Sequence, residues 1–152
     1  MMNRLTCILV TLGALLLLAG CGDGPTGPEA ELRAWVADGI EAAENKQRRK
    51  LVNMISASYT DARGHDRDKI DRMLWVYFNR QDKIGLLPRI EEITIYDDTA
   101  AKVVMTVGMA GTNDGLLGFS ADAYRFALEL EKPVGDWQLI SARWGELGDD
   151  MQ

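Results

Sequence analysis

Apolar positions along this chain change period partway. From Pro28 they recur at three- and four-residue spacing, at Leu32, Trp35, Val36, Ile40 and Ala43, with Glu29, Glu31, Arg33, Glu41 and Glu44 toward solvent. That pattern predicts an amphipathic helix; Pro28 suits its first position, and the early acids suit the positive end of its dipole. A second short helical stretch runs from Leu51 to about Ser58, until Tyr59-Thr60-Asp61-Ala62-Arg63-Gly64 breaks it. Asp66 or Asp68 caps a third helix, whose stripe is Ile70, Met73, Leu74, Tyr77 and Phe78, with Asp71, Arg72, Arg80 and Gln81 facing away.

After Gly85 the period falls to two. Ile93 and Ile95 alternate with Glu92 and Thr94, and Ala101, Val103, Met105, Val107 and Met109 alternate with Lys102, Val104, Thr106, Gly108 and Ala110. Two more strands are predicted, from Phe119 to Glu131 and from Trp137 to about Gly145. Asp97-Asp98-Thr99, Gly111 to Gly115, and Pro133 to Asp136 supply the turns between them. Short connections make successive strands antiparallel. The expected fold class is α+β, three N-terminal helices followed by a four-stranded meander.

The N-terminal stretch has a different character. Arg4 precedes an apolar run from Cys7 to Ala19, too short for the roughly 20 residues a spanning helix needs. Leu18-Ala19-Gly20-Cys21 resembles the bacterial lipoprotein signal. The resemblance implies cleavage after residue 20, a diacylglycerol thioether on Cys21 and an acylated amine, a firmer anchor than any single chain gives. An ordinary secretory peptide is the alternative. Residues 21–28 read as a lipidated cysteine and a Gly/Pro tether reaching at most about 25 Å from the membrane. Residues 29–147 form one domain, and 148–152 a short acidic tail. The expected location is the cell envelope, by default the periplasmic face of the outer membrane, since Gly22 is not the aspartate that resembles an inner-membrane retention signal.

With Cys21 lipidated and Cys7 removed, no thiol remains to pair, so stability rests on a core. One histidine, His65, makes a His/Cys zinc site a poor expectation, and no metal or cofactor is implied. The formal charge of −6 disfavours nucleic acid as a partner. Lys46-Gln47-Arg48-Arg49-Lys50 is the local exception; it reads as a basic cluster closing a helix, with a lipid-headgroup contact as the alternative.

Three motifs, in this order, carry a resemblance to the NTF2-like (SnoaL-like) superfamily: Tyr59-x-Asp61-x-x-Gly64, Tyr124-Arg125-Phe126-x-Leu128, and Gly135-Asp136-Trp137-x-Leu139-Ile140-Ser141-Ala142-x-Trp144. It implies helices wrapped by a curved sheet, forming a cone with an internal pocket, and sheet-mediated homodimers. Such folds host isomerases and dehydratases as well as domains without chemistry. Asp61 falls near the position of the isomerase base, but the first helix offers no inward tyrosine and the Tyr124 to Leu130 face no second acid. Asp61 and His65 are therefore weak catalytic candidates, with turn capping the plainer role for Asp61 and solvation for His65. Asp122, on the Tyr124 face, is another possible base.

Trp35, Tyr59, Tyr77, Phe78, Met105, Tyr124, Phe126 and Trp144 are candidates to line a pocket for a small apolar ligand, or simply to fill a core. The leading expectation is a non-catalytic domain that binds such a ligand or an envelope protein. The alternatives are an acid–base enzyme with Asp61 as base and a structural homodimer joined through the apolar outer positions Val104, Thr106 and Ala110.

Overall fold

The computed structural model describes residues 26–112 and 119–150. The N-terminal signal, Cys21, most of the tether, part of the Gly111 to Gly115 turn and the last two positions of the acidic tail lie outside the described residues. Helices α1 (Pro28–Glu44), α2 (Arg48–Asn53) and α3 (Arg67–Arg80) precede strands β1 (Lys83–Asp97), β2 (Ala100–Thr112), β3 (Phe119–Glu131) and β4 (Gln138–Glu146). The strands form one antiparallel sheet in the order β1-β2-β3-β4.

Pro28 opens α1, and Leu32 and Val36 are buried against the sheet side of the core. Its C-terminus is a Schellman arrangement: the amide of Lys46, at φ 54°, donates to Ala43 O and that of Gln47 to Ala42 O. The basic cluster does not close this helix. Arg48, Arg49 and Lys50 instead form the first turn of α2, where the dipole opposes cations. Tertiary pairing offsets this, Arg48 with Asp71 of α3 and Lys50 with Asp38 of α1 at 3.6 Å.

The second helix also ends before Ser58, because residues 54–62 lie along β4 instead. Ser56 N donates to Leu139 O, Leu139 N to Met54 O, Thr60 N to Ile140 O and Ala62 N to Ala142 O. That coverage protects an otherwise open sheet edge. The next helix starts on Asp66, whose Oδ1 accepts from the amide of Lys69 at 2.7 Å. Of the expected α3 stripe, Phe78 is buried and Ile70 and Leu74 half-buried, while Met73 and Tyr77 are exposed, as are Trp75 and Val76 outside it.

β1 begins earlier than the alternation at Ile93 indicates, and contains Pro88. A proline is tolerated there because β1 is the other edge strand. The inner face of β2 is Ala101, Val103, Met105 and Val107, all buried, opposite Leu130, Leu128, Phe126 and Tyr124 of β3. The outer face is mixed, with exposed Leu87 beside Gly108 toward one end. Val104 and Ala127 are already buried, Thr106 donates its hydroxyl to Glu91, and Glu91 also receives Arg125.

Glu31, expected to face solvent only, ties α1 to the loop before β4. Its carboxylate accepts from Lys132 Nζ at 2.6 Å and from the indole of buried Trp137 at 2.9 Å. The lysine hydrogen bond, then that of Trp137, hold its pKa below the ordinary 4.5. The unfolded chain then takes up the proton first, so this stabilisation is present above the ordinary value and lost as pH falls through the lowered one. Thermal melts should show Glu31→Gln less stable than the parent at neutral pH, with the gap closing below about pH 4.

Candidate functional site

Two apolar chambers occupy the space between the helices and the concave sheet. One, of about 280 Å³, has Trp35, Val36, Ile40, Met54, Met105 and Leu139 among its walls. The other, of about 470 Å³, is walled by residues including Met73, Tyr77, Phe78, Gln81, Tyr124 and Trp144, with Asp122 alongside. Ile70, Leu74, Leu86, Met109 and Phe126 belong to both, so the two adjoin. A broader groove of about 830 Å³ lies outside α1, but its Glu31, Asp38, Lys50, Lys132 and Asp136 make it a hydrated surface feature.

The local sequence explains the interior. The larger chamber lies between α3, several of whose wall side chains are half-buried or exposed, and β3, whose alternate residues Tyr124 and Phe126 face it with exposed Asp122 at its edge. Burial raises the pKa of Tyr77, helped by the carboxylate of Asp122 and by Tyr124; burial, then Asp122 and Glu146, raises that of Tyr124. Both phenols therefore stay protonated and neutral at physiological pH.

Asp61 stands elsewhere. Its side chain has no solvent exposure, and Oδ1 accepts from the amides of Arg63 and His65, each at 2.8 Å. Oδ2 meets His65 Nδ1 at 2.8 Å, and because a carboxylate only accepts, that nitrogen carries the hydrogen. Gly64, at φ 75°, permits the tight reversal that lets one carboxylate reach all three donors. Tyr59 is buried beside it, its pKa raised by desolvation first and by Asp61 second.

Of the eight candidate pocket residues, Trp35 and Met105 line the smaller chamber, Tyr77, Phe78, Tyr124 and Trp144 the larger, and Phe126 both, while Tyr59 lines neither. Asp61 and His65 are not wall residues either. The His65 ring nevertheless lies 6.2 Å from that of Trp144, and the Arg63 guanidinium sits 4.7 Å above the same indole. Gln81 is the wall residue that sequence reading placed on the wrong side. Its helical phase points outward, but α3 ends at Arg80, and extended Gln81 turns back toward the interior. Among the described residues no cluster of three His, Cys, Asp or Glu side chains forms a metal site. No helix among them is long and apolar enough to cross a membrane.

The architecture is that of the NTF2-like proteins. A ketosteroid isomerase-like protein from Erwinia carotovora atroseptica superposes with TM-score 0.65 at 15% identity, over 79% of this chain and 96% of that one. A protein of the NTF2-like family from Streptomyces avermitilis gives 0.65 at 12% identity, over 78% and 98%. A hexachlorocyclohexane dehydrochlorinase from Novosphingobium barchaimii gives 0.64 at 11% identity, over 82% and 88%. No family model and no curated protein matches the sequence.

Proposed function

We propose that this chain is a lipid-anchored cell-envelope protein whose cone binds a small apolar molecule without transforming it. The two adjoining chambers carry this reading: hydrophobic side chains make up most of their walls, and the larger one, about 470 Å³, is within the roughly 300–1,000 Å³ of small-molecule sites. Asp61, the base of the alternative acid–base reading, is committed to two backbone amides and a histidine, outside those walls. Anchoring through Cys21 and an envelope location rest on the Leu18-Ala19-Gly20-Cys21 signal. N-phenyl-1-naphthylamine, a neutral dye that brightens in apolar surroundings, should bind the full chain saturably at one site. Absence of saturable binding overturns the reading. Native mass spectrometry of the protein from its own host tests it independently, through a retained ligand, and reports subunit number.

A second reading, an acid–base enzyme of isomerase or dehydratase type, is favoured by the Asp61–His65 contact. Asp61 would then orient the imidazole, and His65 Nε2 rather than Asp61 would be the base. The ketosteroid isomerase-like and dehydrochlorinase neighbours lend this reading its chemistry by analogy of fold alone. An envelope-protein partner would find its surface on α3, where exposed Met73 and Val76 lie between Lys69, Arg72 and Arg80.

A further inference from the structure

Charge is distributed unevenly along this acidic chain. Residues 46–80 hold nine of its 17 lysines and arginines but four of its 23 acids, a balance of +5 against −11 for everything else. That excess meets apolar surface on α3. Lys69, Arg72, Met73, Val76 and Arg80 recur at helical spacing along one stripe, and all five are exposed. Among the described residues the three cations of the stripe have no salt bridge. The acids of the helix lie off the stripe: Asp71 is paired with Arg48, and Asp68 falls on the side of Trp75, which is itself 57% exposed. Cations interleaved with apolar and aromatic side chains on a water-facing helix suit anionic lipid, because the charges meet headgroup phosphates while the apolar groups enter the headgroup layer.

We propose that this face of α3 rests on a bilayer containing anionic phospholipid. The inference rests on the anchoring through Cys21 proposed above. The tether reaches about 25 Å, as far as the 17 residues of α1 extend at about 1.5 Å each. Pro28 therefore stands clear of the surface while the far end of α1, where Lys46 donates to Gln81 at the end of α3, comes down to it. Tethering makes the contact intramolecular, so an attraction too weak to recruit a free protein suffices. The rest of the chain, at −11, is repelled by the same lipids, which selects the orientation. Met73 and Tyr77 also wall the larger chamber, so docking sets that chamber beside a store of apolar molecules.

The full chain, purified from its host's membranes and reconstituted into vesicles, tests this. Intact mass first reports acylation of Cys21; with Cys7 removed, Val76→Cys then carries the sole free thiol and takes an environment-sensitive nitrobenzoxadiazole label. The label should brighten on phosphatidylcholine vesicles containing one-third phosphatidylglycerol and not on phosphatidylcholine alone, and half-molar sodium chloride should abolish the difference. Arg72→Gln and Arg80→Gln should each weaken docking about fivefold. The same label at Lys102→Cys, on the outer face of the sheet, should not respond. Should Val76→Cys fail to fold, brominated phosphatidylglycerol decides, by quenching emission in the parent that Trp75→Ala lacks. Missing acyl mass on Cys21 overturns the anchoring reading and the inference with it. Acylated protein whose Val76→Cys label is unchanged on anionic vesicles overturns the inference alone. Equal brightening on both lipids overturns the role of the cations, and an equal response at Lys102→Cys the choice of face. Brightening in detergent that grows with protein concentration assigns the face to a protein partner and overturns the lipid contact.

Discussion

Replacing Asp61 by alanine should cost about 3 kcal/mol of folding stability, which for a domain of roughly 120 residues is a fall in Tm of about 12 °C. Three donors lose their acceptor at once: the amides of Arg63 and His65 and the His65 ring. The side chain that satisfied them is fully buried, so solvent does not readily replace it. Asp61→Asn keeps one oxygen for the amides and should lose roughly a third as much. Differential scanning calorimetry of the parent and both variants checks the order. The sign is informative about function. Acids kept for chemistry are commonly strained, and their removal is neutral or stabilising. A rise in Tm for Asp61→Ala would show that the carboxylate is held against stability, and would move the acid–base reading ahead of the binding one.

Leu74→Trp should weaken N-phenyl-1-naphthylamine binding at least about thirtyfold, equivalent to about 2 kcal/mol. Leu74 belongs to the walls of both chambers, so an indole there occupies part of each. Because the added atoms enter open space and not a filled core, Tm should move by less than about 5 °C, well short of severe overpacking. Fluorescence titration at fixed protein concentration gives the affinity. Trp75→Ala is the control: Trp75 is 57% exposed on the outer side of α3, so its removal should leave the titration unchanged. Full-affinity binding to Leu74→Trp, or loss of binding in Trp75→Ala, would put the dye on the surface.

The two sets of residues behind these experiments were not equally legible. The alternation from Ala101 to Val107 names the inner face of β2 without ambiguity, because a one-residue slip would put every one of those side chains on the wrong side. The cap of α3 was readable as Asp66 or Asp68, since such an acceptor lies about three residues from its donor, and the structure selects Asp66. Seven of the eight candidate wall residues come from such periodic segments. Tyr59 does not line the chambers because its segment is neither helix nor free loop but lies along β4, a partner more than 75 residues away in sequence. The same docking decided the length of α2, and the Arg48–Asp71 pair decided where its basic residues would sit.

By itself, then, the amino-acid order determined the three helices, the four antiparallel strands and which side of the sheet faces inward, because these follow from short-range period, caps and turns. It also supplies the lipoprotein-like signal, whose physical consequence lies outside the described residues. That Asp61 serves its own loop was already the plainer reading, since its donors lie two and four residues away; the tertiary structure alone decided that Gln81 turns inward and that open space remains beneath α3. Each depends on how far apart two packed elements come to rest, a distance set by many side chains together and written in no local stretch of sequence.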